Sequence, residues 1–309
     1  MSIHRPTRIV VVGCGAVGAT TAYTLLLRER CEELVLIDVR RDVAHGEALD
    51  FRHGLPFTGK TKVWAGDYAD CAGADIVIVA AGAAQRPGET RQDLLPRNAA
   101  VVQQVVAQVV EHNQDGILLI ATNPVDVMAY AAWKTSQWPA HRVIGSGTVL
   151  DSARFRFAIG RRLGMDPRNV HAYIVGEHGD TELPVWSSAH VAGAPVSLPP
   201  EEKDEIFRET RDAAYEIIRA KGATNYAIAL ALDRIVTAIL RDEGAVLTVS
   251  TYLDDYLGVR GIYMGVPCIV DRTGVREVLP LHLDETEARL FAASAAALQA
   301  AVARLPEHA

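Results

Sequence analysis

The stretch Arg8-Ile-Val-Val-Val-Gly13-Cys-Gly15-Ala-Val-Gly18 decides the fold. Its β-branched run reads as a strand buried on both faces, and it leads straight into the spacing GxGxxG. Gly13 permits a tight turn, Gly15 lets the backbone approach a pyrophosphate, and Gly18 lets the next helix pack on the strand. The start of that helix offers free N–H groups and the positive end of a dipole to the phosphates. Asp38 ends the next apolar run, Leu34-Val-Leu-Ile37-Asp38, about 20 residues on. A carboxylate there accepts from ribose hydroxyls and repels a 2′-phosphate, so the pattern predicts NAD rather than NADP. The glycines alone would also suit FAD or SAM on a similar fold.

Outward from this turn, short apolar runs at 8–12, 34–37, 62–64, 76–79, 117–120 and 142–144 alternate with helix-like stretches such as 16–28 and 93–113. Most of the runs are continuous rather than alternating, which predicts parallel strands covered on both faces. The expected fold is α/β: a Rossmann-type doubly wound parallel sheet over residues 1–145. Residues 146–309 read as a second, α+β domain that carries the substrate site. Helices are expected at 149–163, 201–219, 224–241 and 284–304, and strands at 170–175, 245–252 and 263–270. No low-complexity linker separates the halves, so they should pack tightly.

With 309 residues, 49% of them hydrophobic and 22% charged, the chain has the composition of an ordinary globular protein. A net charge of −7 argues against a nucleic-acid or anionic-membrane partner. An anionic substrate would then be held by a few local arginines. Cys14, Cys31, Cys71 and Cys268 form no CxxC pair and no ligand spacing with histidine, so neither a metal site nor a disulfide framework is expected. Scattered cysteines fit a reducing cytoplasm. The first apolar run, 9–12, is too short for a secretory leader, and no run is long enough to span a membrane.

Four short motifs place polar residues where a packed core would not choose them. Gly82-Ala-Ala-Gln85-Arg86-Pro87-Gly88-Glu89-Thr90-Arg91 follows a buried strand and reads as a loop at its carboxyl end, where ligands bind in such sheets. Ala121-Thr-Asn123-Pro124-Val-Asp126 follows another. In Asp151-Ser-Ala-Arg154-Phe-Arg156, the i and i+3 charges share a helix face. Gly176-Glu-His178-Gly179-Asp180 puts a histidine in a glycine-bracketed turn. Asp126, Glu177 and Asp180 read as supports of the site.

These motifs, in this order, resemble the L-lactate/malate dehydrogenase family, and the likeness runs from the glycine turn to the segment 261–270. The resemblance implies NAD-dependent hydride transfer between a small 2-keto acid and its 2-hydroxy acid. His178 resembles the catalytic acid/base and Asp151 its carboxylate partner. Arg154 resembles the arginine that grips the substrate carboxylate, and Arg91 the loop arginine that polarises the carbonyl. Asn123 resembles a hydrogen-bonding residue for substrate and nicotinamide, and Thr224 a wall of the pocket. The cofactor site then takes in Gly13, Gly15, Val17, Gly18, Asp38, Tyr68, Gly82, Ala83, Thr122, Asn123 and Ser146. The chemistry suits these types independently. Histidine titrates near neutrality, a buried carboxylate raises its pKa and fixes its tautomer, and arginine presents two prongs to a carboxylate.

Within the family, malate enzymes place an arginine where this chain has Gln85. A neutral glutamine leaves the second carboxylate of oxaloacetate unpaired, at a cost on the order of several kcal/mol, so pyruvate and lactate are the expected pair. Arg156 and His171 match positions that bind fructose 1,6-bisphosphate across a subunit interface in bacterial members, which implies an allosteric activator and a homotetramer. The segment Ala194-Pro-Val-Ser-Leu-Pro-Pro200 is shorter than is usual in the family and holds no expected catalytic residue.

Overall fold

The computed structural model describes residues 5–83 and 91–305, with backbone only at 91–94. Gln85 therefore lies outside the described residues, and Arg91 is described only as the first residue of a helix. The first half alternates β1 (Arg8–Val12), α1 (Ala16–Leu27), β2 (Glu33–Ile37), α2 (Arg41–Gly54), β3 (Lys62–Ala65), β4 (Ile76–Val79), α3 (Arg91–His112), β5 (Ile117–Ile120), α4 (Val125–Ser136) and β6 (Val143–Gly145). The second half continues with α5 (Val149–Leu163), β7 (Val170–His171), β8 (Ile174–Val175), β9 (Leu183–Pro184), β10 (His190–Val191), β11 (Ala194–Pro195), α6 (Pro200–Lys221) and α7 (Tyr226–Leu240). It closes with β12 (Ala245–Leu247), β13 (Ser250–Leu253), β14 (Ile262–Gly265), β15 (Cys268–Asp271), β16 (Gly274–Val278) and α8 (Glu285–Val302).

The large sheet has the order β14-β13-β6-β5-β4-β1-β2-β3. From β6 to β3 every pairing is parallel, which is the doubly wound arrangement with its switch point between β1 and β4. β4 and β5 are buried along their whole length and β1 from Ile9 onward, as their continuous apolar runs require. One core covers both sheet faces and includes α7 and α8, while a smaller one packs α5 and α6 against β7 and β8. The four cysteines are free and buried. No helix among the described residues is long and apolar enough to cross a membrane.

Three expected strands divide. The run 170–175 splits into β7 and β8, 245–252 into β12 and β13, and 263–270 into β14 and β15. Each pair serves two different sheets, and Pro267 marks one break because it cannot donate to a ladder. Periodicity reports that a run is buried, but not which neighbour it pairs with. Two helices had no clear sequence signal. α2 carries only a narrow stripe of Ala44, Ala48 and Phe51, two of the three small, and α4 is apolar nearly all round and so shows no two-sided stripe. The short segment after β10 is closed by the turn Ala192-Gly193, both at positive φ, which suits a two-residue hairpin.

Asp233 on α7 is buried and accepts from Arg28 (2.7 Å) and Arg30 (2.6 Å) at the end of α1, so one carboxylate ties the two halves together. Replacing it strands two guanidinium groups at that junction. Asp233→Ala should lower the unfolding free energy by about 3 kcal/mol, near the low end for breaking a buried pair because Arg28 is half exposed. Urea titration followed by fluorescence measures this.

Candidate active site

The β1–α1 turn has the geometry its glycines predict. Gly13 sits at φ +99°, and a Cβ there would lie 2.5 Å from the Ala81 nitrogen. A Cβ on Gly18 would lie 1.7 Å from the Gly13 oxygen, so only glycine lets α1 approach β1 this closely. A Cβ on Gly15 would meet nothing within 4 Å among the described residues. Gly15 therefore borders an open cradle, with α1 starting beside it and no side chain capping the helix. Asp38 Oδ2 accepts from the Cys14 N–H (2.7 Å) and Oδ1 from the Arg40 N–H (2.9 Å), which fixes the carboxylate beside the turn. An uncapped helix start next to an oriented carboxylate fits the diphosphate and ribose of a dinucleotide.

The rest of the expected cofactor residues lie at carboxyl ends of the parallel strands. Val17 is half-buried in the first turn of α1, and Tyr68 begins a short helical turn after β3. Burial first, then the charges of Cys71 and Asp38, push the Tyr68 phenol up. Gly82 and Ala83 follow β4, Thr122 and Asn123 follow β5, and buried Ser146 follows β6, its N–H donating to Ile120 (2.9 Å). The Thr122 hydroxyl donates to the Ala81 carbonyl (2.7 Å). Asn98, which the sequence reading passed over, joins two of these ends. Its Oδ1 accepts from the Ala83 N–H and its Nδ2 donates to the Asn123 carbonyl, both at 2.8 Å. The available signal was a lone amide on the face of α3 that also buries Leu95 and Val102.

The acid–base end is built on α5. One turn of helix puts Asp151 and Arg154 side by side, with Arg154 Nη1 donating to Asp151 Oδ1 (2.9 Å). His178 Nδ1–H donates to Asp151 Oδ2 (2.6 Å). Burial alone would raise the Asp151 pKa, but His178 and Arg154 outweigh it and hold the carboxyl below its ordinary range. For His178, burial would lower the pKa. The charge and hydrogen bond of Asp151 overcome this, with Glu182 and Asp126 adding to them, and raise it to about 9. The ring is therefore an imidazolium at neutral pH, with Nδ1 committed to Asp151 and Nε2 left for a substrate oxygen.

The turn carrying His178 is held from several sides. Gly176 exchanges both backbone bonds with Gly265 on β14 (2.9 and 3.1 Å). Ser294 on α8 accepts from the Glu177 N–H (2.8 Å), and Asp180 accepts from Tyr215 on α6. Asp126 Oδ2 accepts from the His178 N–H (2.8 Å), and Asp126 Oδ1 from the buried Ser250 hydroxyl (2.6 Å). Burial lifts the Asp126 pKa to about 6. Asp126, Glu177 and Asp180, expected as supports, all make such contacts. Ser250, Ser294 and the buried Glu182 were not expected, because nothing in their spacing points at this turn.

Three further expected residues make no hydrogen bond to this set among the described residues. Thr224 is half-buried in the connection from α6 to α7, next to Asn225, whose Nδ2 donates to Thr20 on α1 (2.8 Å). Arg156 is half-buried, two residues beyond Arg154, with no hydrogen bond or ion pair among the described residues. His171, exposed on β7, stacks on His190 of β10 at 5.0 Å between ring centroids.

A doubly wound sheet with this glycine turn, and an acid–base pair beside an arginine at its carboxyl end, defines a dinucleotide-binding α/β protein of dehydrogenase type. Comparison with known proteins narrows the class. Residues 7–145 match the NAD-binding domain model of lactate/malate dehydrogenase, and residues 148–308 match the alpha/beta C-terminal domain model of the same family. The chain belongs to the lactate/malate dehydrogenase family, and its cofactor is NAD. It is 50% identical to an L-lactate dehydrogenase of Geobacillus kaustophilus (strain HTA426) over 98% of this chain and 99% of that one. It is 52% identical to L-lactate dehydrogenase 2 of Peribacillus psychrosaccharolyticus over 94% of each chain. The minor L-lactate dehydrogenase of Enterococcus mundtii in its ligands-bound form superposes with a TM-score of 0.95 at 42% identity, over 98% of this chain and 99% of that one.

If the Asp151 charge sets the His178 pKa, keto-acid reduction should hold below about pH 9 and fall as pH rises through it. Asp151→Asn should move that limb to lower pH and cut neutral-pH kcat/KM by about 10²- to 10⁴-fold. NADH absorbance across a pH series measures both, and a limb left near pH 9 in the variant would refute the pairing.

Proposed function

We propose that this chain catalyses the NAD-dependent interconversion of pyruvate and (S)-lactate, the reaction of an L-lactate dehydrogenase. The observation that carries the proposal is the contact set His178–Asp151–Arg154 at the carboxyl end of the NAD-type sheet. Bound NADH would supply the hydride. His178, held protonated by Asp151, gives its Nε2 proton to the carbonyl oxygen as the alcohol forms, and takes it back in the oxidation. Arg154 grips the substrate carboxylate with two donors, and Arg91 polarises the carbonyl and stabilises the charge that develops on its oxygen. Asn123 hydrogen-bonds on the nicotinamide side, and Thr224 walls the pocket. Exclusion of water strengthens each of these interactions. The NAD-binding and substrate domains divide near residue 145.

Gln85 sets the choice of substrate, since a neutral side chain favours the methyl group of pyruvate over a second carboxylate. A panel of pyruvate, oxaloacetate and larger 2-keto acids tests this. Wild-type protein should prefer pyruvate, and Gln85→Arg should raise the oxaloacetate-to-pyruvate ratio of kcat/KM by about 10²-fold, equivalent to about 3 kcal/mol. Faster reduction of oxaloacetate by wild-type protein would overturn the lactate reading.

Fructose 1,6-bisphosphate is the proposed activator, held by Arg156 and His171 from two subunits. The half-buried Arg156 guanidinium, without a counter-ion among the described residues, supports an anion there. A homotetramer is the proposed assembly. It is supported by apolar pairs one turn apart on two packed helices, Tyr23 and Leu27 on α1 and Tyr226 and Leu230 on α7, all exposed. The cytoplasm is the proposed location, and the last step of lactate fermentation the proposed role. Adding fructose 1,6-bisphosphate at low pyruvate should lower the apparent KM at least about threefold, and Arg156→Ala should abolish the response. An unchanged KM in wild-type protein argues against the regulatory site.

A further inference from the structure

Glu182 is a buried acid that the acid–base chemistry does not use. It stands four residues beyond His178, only 6% exposed, and its Oε1 has no hydrogen-bond partner among the described residues. Ligand atoms of Glu182, Asp151 and His178 lie within 4.8 Å of one another. The charged and titratable groups facing it are Asp151 and Arg154 from α5, His178 from its own loop and Arg211 from α6. Both oxygens of Asp151 already accept from His178 and Arg154, so these two cations are engaged by the neighbouring carboxylate.

The signs of these groups decide what a second carboxylate would do. With Asp151 ionised, Arg154 cationic, His178 protonated and Arg211 paired with Asp212 (2.9 Å), the set carries a single net positive charge. That charge attracts a monoanion. Ionising Glu182 would cancel it and place a second anion close to the guanidinium on which the substrate carboxylate must dock. In a buried site two like charges this close oppose each other strongly, and an oxygen without a donor gives no compensation. We propose that Glu182 is a positioning residue held as a neutral carboxylic acid, which keeps the His178–Asp151–Arg154 set net positive and open to the carboxylate of a 2-keto acid. Burial, and next the charge of Asp151, push the Glu182 pKa to about 9, in the direction the geometry requires. The substrate half of this inference rests on the pyruvate reading above; the protonation state does not.

Infrared difference spectroscopy across a pH series, on protein without substrate, tests the protonation directly. A carboxylic-acid carbonyl band should persist at about pH 7.5, vanish as pH rises through about 9, and be missing from Glu182→Gln. Asp126 is distinguishable because its band should be lost near pH 6. In steady-state kinetics the alkaline rise in KM for pyruvate should shrink at least about threefold in Glu182→Gln, and return in Glu182→Asp, which can ionise again. The alkaline fall in kcat, which follows His178, should remain in both variants, moved to lower pH in Glu182→Gln because the Glu182 charge also raises the His178 pKa. A wild-type spectrum without the band, or a KM profile in Glu182→Gln that superposes on wild type, would overturn the proposal. If Glu182→Gln does not fold, the wild-type infrared titration still decides. Failure of pyruvate turnover would remove the functional reading without touching the band.

Discussion

The buried negative charge of Asp151 is the constraint around which the rest of the site is arranged. A carboxylate this deep would normally take up a proton, because burial penalises the ion. It stays ionised because an arginine one helical turn away and an imidazole from a distant loop each donate to a different oxygen. Its place in the first turn of α5, at the positive end of the helix dipole, works in the same direction. The effect is mutual: the same charge overcomes the desolvation of His178 and leaves the ring protonated and oriented, with Nε2 unbonded among the described residues.

Such a pair is useful only where a cofactor can reach it, and the sheet arranges this. Parallel strands point their carboxyl ends the same way, so the loops after β1, β4, β5 and β6 collect on one side. Asn98 fastens the end of β4 to the end of β5, and Asp126 fastens the loop after β5 to the backbone of His178. The two antiparallel strands β13 and β14 extend the sheet past β6, and through Ser250 and Gly265 they grip the histidine turn from behind. The cofactor end and the acid–base end thus share one rigid frame, although they come from opposite halves of the chain.

Much of this was legible in the residues because it depends on local geometry. Gly13 and Gly18 stand where a Cβ would collide with backbone, and Asp151 and Arg154 stand at the spacing of one helical turn. Other features left little trace. α4 is apolar on nearly every side, so it shows no amphipathic rhythm, and a run such as 245–252 reads the same whether it forms one strand or two. Asn98 and Ser250 look ordinary in sequence, since their importance lies in partners 25 and 124 residues away.

The sequence by itself determined the doubly wound architecture, the dinucleotide turn and the identity of the histidine, aspartate and arginine that face one another. The architecture, the turn and the Asp151–Arg154 pair follow from backbone sterics and helical spacing within a few positions, whereas the pairing of His178 with Asp151 was implied by the family resemblance. Only the tertiary structure decided how β13 and β14 complete the sheet, which groups hold the histidine turn, and that one buried oxygen of Glu182 has no partner among the described residues. Those outcomes depend on burial and on the sum of charges contributed by separate elements, and neither quantity exists until the chain has packed.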